Sequence, residues 1–284
     1  MLRDDRLLPI TWILLAPPAA LALLFGVALF LFPDRTGTLF AWTITPRMSA
    51  VFVGASFTFG GLATFHLLWN GRWHPLGATL PGTWAFSTAL LAATLLHWDR
   101  FHHGTLRFYT WLVIYVALPV GLPLAYWLNQ RRDPGPAAVD VALVRRVRVG
   151  LALTGAVYTV MGLALFLRPA AFIPVWPWQL TPLMARVIGA WLILPGVAAI
   201  ATYREKRYTA IRSLVRDLML WEVLLLAGTF LERDNFDFAR LAVWLWVALL
   251  GSALVLTAAF YRSYERVSQN YVPVFPTGGE VGDS

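Results

Sequence analysis

His97, Asp99 and His102 fall within six residues of one another, with His103 beside them. A second polar knot, Glu232, Asp234 and Asp237, has the same spacing around Phe236 that the first has around Phe101. Laid over each other, the two read acid-or-histidine, any residue, Asp, any residue, Phe, then His or Asp. Imidazole and carboxylate hold zinc, iron, manganese or copper without any thiolate, so a divalent transition metal at these six positions is one reading. The spacing matches no established metal signature, and a plainer role competes with it. In that role Asp99 and Asp234 cap the helices that follow by accepting from free backbone N–H groups.

Within the apolar stretches ionisable residues are scarce, and each is a functional candidate because charge in hydrocarbon is costly. Glu222 is the clearest, set among Leu218, Leu220, Trp221, Val223 and Leu224. His66 is the second. These two are the candidate intramembrane proton or substrate groups, and a Glu222–His66 or Glu222–arginine pair is expected to hold them at depth. Arg186 is expected to reach outward from the start of its span. Cysteine is absent, which excludes disulfides, thiolate metal sites and cysteine nucleophiles. No Walker loop, dinucleotide-binding glycine pattern, His-Glu-x-x-His or Gly-x-Ser-x-Gly is present, and no catalytic residue is assigned.

Elements that would position these residues must lie in lipid. Apolar residues make up 58% of the chain and charged ones 13%, with a mean hydropathy of +0.63. A soluble domain carries about 25% charged residues. Too little polar surface is left to cover a water-soluble globule of 284 residues. The net charge of +8 resides mostly in short loops, so it reads as membrane topology and not as nucleic-acid binding. A span needs about 20 mostly apolar residues. Eight stretches qualify: Leu8–Phe32, Met48–Trp69, Leu76–Trp98, Phe108–Leu128, Val149–Leu167, Met184–Tyr203, Leu214–Leu231 and Leu241–Tyr261. The first is too long for a cleavable signal and is read as a retained span.

The chain also repeats itself. Gly26-Val27-Ala28-Leu29-Phe30-Leu31-Phe32-Pro33 lies over Gly162-Leu163-Ala164-Leu165-Phe166-Leu167-Arg168-Pro169 at an offset of 162 − 26 = 136, which also carries Trp42 onto Trp178. One residue is then lost, and an offset of 135 pairs Gly54 with Gly189, Thr94 with Thr229, Asp99 with Asp234 and Trp111 with Trp246. The expected fold class is therefore all-α integral membrane, with eight transmembrane helices as two parallel four-helix repeats. Residues 1–132 form the first repeat, 133–148 a cytoplasmic linker, 149–266 the second repeat and 267–284 a disordered tail. Val139–Arg148 alternates apolar and basic residues and reads as a short amphipathic helix. The segments around Trp42 and Trp178 read as aromatic belts leading into Thr-Pro helix starts, or as a lid over a lipid-facing cavity.

Orientation follows from the basic residues. With the N-terminus inside, inner segments hold fifteen of them and outer segments eight, which places both termini in the cytoplasm. The string Leu96-His97-Trp98-Asp99-Arg100-Phe101, followed by a span that ends in Tyr126-Trp127-Leu128-Asn129-Gln130-Arg131-Arg132, resembles uncharacterised bacterial multi-pass membrane proteins. The resemblance implies a bacterial integral membrane protein, located in the inner membrane, and no activity. Three functions stay open. One is binding or transport of a small molecule or ion at the repeat interface, with Glu222 as the working group. Another is an outer-face metal-binding protein or membrane enzyme. The third is a non-catalytic scaffold or accessory subunit whose tryptophan-rich faces meet lipid, a second copy or a partner subunit.

Overall fold

The computed structural model describes residues 5–133 and 141–269. Eight long helices carry the fold: α1 (Pro9–Leu31), α3 (Arg47–Asn70), α4 (Trp73–Leu96), α5 (Leu106–Gln130), α6 (Arg145–Leu167), α8 (Pro182–Ala201), α9 (Thr209–Leu231) and α10 (Leu241–Gln269). Two single-turn helices, α2 (Thr36–Leu39) and α7 (Pro169–Phe172), lie in the connections after α1 and α6. Among the described residues there is no strand, only isolated bridges. Seven of the long helices are long and apolar enough to cross a membrane, which by length and composition marks a multi-pass membrane protein. The exception is α9, which starts five residues before the expected Leu214 and carries Arg212, Arg216, Asp217 and Glu222 along its length.

Two layers result. α3, α4, α8 and α9 form the centre, where α4 packs on α8 and α3 on α9. α1 lies along α3, α6 along α8, α5 on α4 and α10 on α9. The flanking helices turn large apolar side chains outward, among them Val113, Val116, Val157, Val160, Leu245 and Leu249. Water would penalise such faces and hydrocarbon does not, so the composition and the layering have one cause. Small residues let the paired backbones touch. A Cβ at Gly54 would stand 2.5 Å from the Phe30 amide nitrogen, and one at Gly189 would stand 2.6 Å from the Gly162 carbonyl oxygen.

Several contacts occur twice at the spacing read from the sequence. Trp111 Nε1 donates to Thr94 Oγ1 and Trp246 Nε1 to Thr229 Oγ1, both at 3.0 Å. Leu7 N donates to Gly71 O and Trp73 N to Asp5 O, while Leu143 N donates to Lys206 O and Tyr208 N to Val141 O. The Leu8 amide is received by Asn129 Oδ1 and the Val144 amide by the Tyr264 hydroxyl, so different side chains do the same work.

This pairing corrects one expectation. Residues 141–143 run extended beside 206–208, and α6 already begins at Arg145, so no separate amphipathic helix covers that stretch. Its backbone groups are satisfied across the pair and not along a helix. Arg145–Arg148, assigned to the linker, belong to α6. The start of the amphipathic stretch and residues 134–140 of the linker lie outside the described residues. So does most of the expected disordered tail, of which 267–269 are the last turn of α10.

Proline shapes α5. Pro123 has no N–H to give the carbonyl of Pro119, and in hydrocarbon that oxygen would be left bare. Trp84 Nε1 on α4 donates to it at 3.0 Å.

Candidate ligand cavity and polar clusters

α4 and α9 both end in a 3₁₀ turn, Trp98–Arg100 and Arg233–Asn235, which puts His97 and Glu232 at equivalent helix ends. An arginine from the other half of the chain meets each. Arg186 Nη1 on α8 donates to His97 Nε2 at 2.7 Å. Arg47 on α3 grips Glu232 with Nε at 2.9 Å and Nη2 at 3.1 Å, and also pairs with Asp34. Arg186 thus meets the other half of the chain at the end of α4, the end assigned to the outer side from the sequence.

The six metal-ligand candidates are not brought together. His97 and Glu232 are taken up by guanidinium groups, whose charge stands where a cation would have to sit. Asp99 is exposed and, among the described residues, pairs with its neighbour Arg100. His102 Nε2 lies 3.1 Å from Thr43 Oγ1, and His103 Nε2 donates to Trp98 O. Asp234 is exposed, and Asp237 accepts from the Ala239 amide. Among the described residues no three His, Cys, Asp or Glu side chains are grouped to hold a metal ion. The capping expectation for Asp99 also gives way: α5 is capped by Thr105, whose hydroxyl accepts from Phe108 N.

Burial, and then the nearby Arg186 guanidinium, lower the pKa of His97 from its ordinary value near 6.5. A histidine depressed in the folded chain binds its proton more readily when unfolded. Its contribution to stability is therefore complete above about pH 6.5 and lost as the pH falls through the lower folded value. The melting temperature of the purified protein should fall between pH 7.5 and pH 5, and His97→Gln should flatten that part of the profile. An identical profile in His97→Gln would remove the residue from the pH response.

At depth, His66 Nδ1 pairs with Asp217 Oδ2 at 2.9 Å and not with Glu222. Asp217 is 3% exposed and also takes Arg216. The sequence reading missed it, although an acid inside the expected span Leu214–Leu231 was the signal. Glu222 lies five residues on, about 140° around the helix. It therefore faces α10, where Thr257 Oγ1 donates to its Oε1 at 3.2 Å. Its Oε2 is buried and has no partner among the described residues, neither an arginine nor His66. The α9 face toward the first half is held by Trp221, whose Nε1 donates to Ser56 Oγ.

The open space is elsewhere. A cavity of about 130 Å³ lies between α1, α3, α4 and α5 and is closed on its inner side by Trp191 and Leu194 of α8 and Leu214 of α9. Its wall is apolar except for a few threonines, Tyr115 and one charged side chain, Arg107. α1 and α5 are tied at one end, where Asn129 Nδ2 donates to Thr11 Oγ1 at 2.7 Å and Gly121 lies against Leu14. Toward the other end the cavity separates them, from Leu21 and Phe25 on α1 to Thr110 and Ile114 on α5. Phe40 and Ala41, from the Trp42 segment, line it there. Neither Glu222, His66 nor any of the six outer polar residues lines it.

The fold and cavity define a multi-pass helical membrane protein with an apolar pocket among its helices. No family model matches the chain, and neither a curated protein nor a solved structure matches it.

Proposed function

We propose that the chain is an eight-span protein of a bacterial inner membrane, built as two parallel four-helix repeats with both termini cytoplasmic, and that it binds a small apolar molecule where the repeats meet. The apolar cavity carries this reading, because its wall takes residues from both halves. We read α9 as the eighth span: its acids Asp217 and Glu222 are buried and paired with His66 and Thr257, while the exposed Arg212 and Arg216 lie in its first third, where they can reach the membrane surface. The twofold contacts around Trp111 and Trp246, and around Gly71 and Lys206, support the repeat. The excess of arginine in the segments assigned to the inside supports the orientation. Glu222 is not the ligand group in this reading, since it faces α10 and lies outside the cavity wall.

Ala22 is the residue to change, because it lines the cavity and is only partly buried. Solvent extracts of the purified wild-type protein, analysed by mass spectrometry, are expected to contain an apolar molecule in amounts comparable to the protein. Ala22→Trp fills the space and should lose that molecule while the circular dichroism spectrum is unchanged. Equal retention in both proteins would sink the cavity as the binding site.

A further inference from the structure

Arg107 is the one charged side chain in the cavity wall, and it stands at the end where α1 and α5 part. Other arginines near this end have strong partners: Arg47 holds Glu232 and Asp34, and Arg186 holds His97. Arg107 has a single long contact, Nη1 to Gly37 O at 3.4 Å, and no carboxylate pairs with it among the described residues. It is also the second residue of α5, where the helix dipole disfavours a cation and favours an anion. A partly buried guanidinium so placed lacks a counter-charge.

The apolar wall behind it continues from Arg107 to Leu118 on α5, about 16 Å along the axis at 1.5 Å per residue. A volume of about 130 Å³ spread over that length leaves no room for two hydrocarbon chains side by side. Resting on the cavity being a binding site, we infer that its ligand is a single-chain amphiphile with an anionic head, the phosphate or carboxylate held by Arg107 and the chain lying between α1 and α5. An arginine fork matches either oxyanion with two hydrogen bonds, which a neutral head cannot supply.

The test uses dodecyl phosphate, dodecanol and two-chain phosphatidic acid, each added to the full-length protein in phosphatidylcholine nanodiscs and counted by native mass spectrometry. Wild type should bind dodecyl phosphate about ten-fold or more tightly than dodecanol, the effect of a hydrogen bond to a charged group. Arg107→Gln should erase that preference and still bind dodecanol. Ala22→Trp should bind neither. An unchanged preference in Arg107→Gln overturns the head-group assignment and leaves the cavity reading standing. Unchanged dodecanol binding in Ala22→Trp, or no binding of either compound by wild type, overturns the cavity reading itself. Phosphatidic acid binding as well as dodecyl phosphate overturns the single-chain assignment.

Discussion

Leucine in place of Gly82 is expected to keep the two halves of the chain from closing on each other. A Cβ at this position would lie 2.3 Å from Leu194 O and 3.0 Å from Ala198 N. Both are backbone atoms of α8, so no side chain can swing aside and the helices must part. The same movement would pull Phe86 off Trp191, whose rings are 4.4 Å apart. Overpacking costs about 1–3 kcal/mol and a backbone clash belongs at the upper end, so the melting temperature in detergent should fall by roughly 5–10 °C. Gly150→Leu is the control, since a Cβ there meets nothing within 4 Å. A Gly82→Leu protein that melts with wild type would show that α4 and α8 do not meet as described.

Glu222→Leu should act in the opposite direction. The glutamate is 5% exposed, and its Oε2 is buried without a donor. Leaving a buried polar group unsatisfied costs about 1–3 kcal/mol, and leucine of similar volume removes that cost. Thr257 loses its acceptor but can turn its hydroxyl back to its own helix. The variant should therefore melt a few degrees higher, with the retained apolar molecule unchanged. Glu222→Gln keeps the Thr257 bond and should lie near wild type. If Glu222→Leu melts lower, the carboxyl has a partner in the membrane-embedded protein. If it loses the bound molecule, Glu222 belongs to the binding machinery after all.

Much of the architecture is legible in the residues. Apolar runs of about 20 announce helices that cross a membrane, and the described chain is all-helical with seven such helices. The ends were harder to read. α6 begins at Arg145 where hydropathy suggested Val149, and α10 runs on to Gln269 beyond Tyr261. Hydropathy senses hydrocarbon, whereas backbone hydrogen bonding continues past it. The polar clusters were visible as residues but not as sites, because what answers them is far away in sequence: Arg186 is 89 residues from His97, and Arg47 is 185 from Glu232. His66 likewise found Asp217 and not Glu222, a choice set by helix rotation. The cavity had one hint in the sequence, the reading of the Trp42 segment as a lid over such a space, and Phe40 and Ala41 of that segment line it. Its place among the helices was not legible, because a void has no residue type of its own.

The hydrogen bond from Trp84 to the carbonyl that Pro123 leaves free has a further consequence. It rivets α5 to α4 on the outward side, and the Trp111–Thr94 bond adds a second rivet. Among the described residues α1 is fastened to α5 near Asn129 and through Leu14 and Leu15. If the pocket takes a ligand, the parting of α1 and α5 is a doorway between helices, on the flank where α5 is not tied to α4. Traffic into the pocket would then pass sideways from the surrounding leaflet and not down from the water. Its rate would follow the fluidity of the host bilayer.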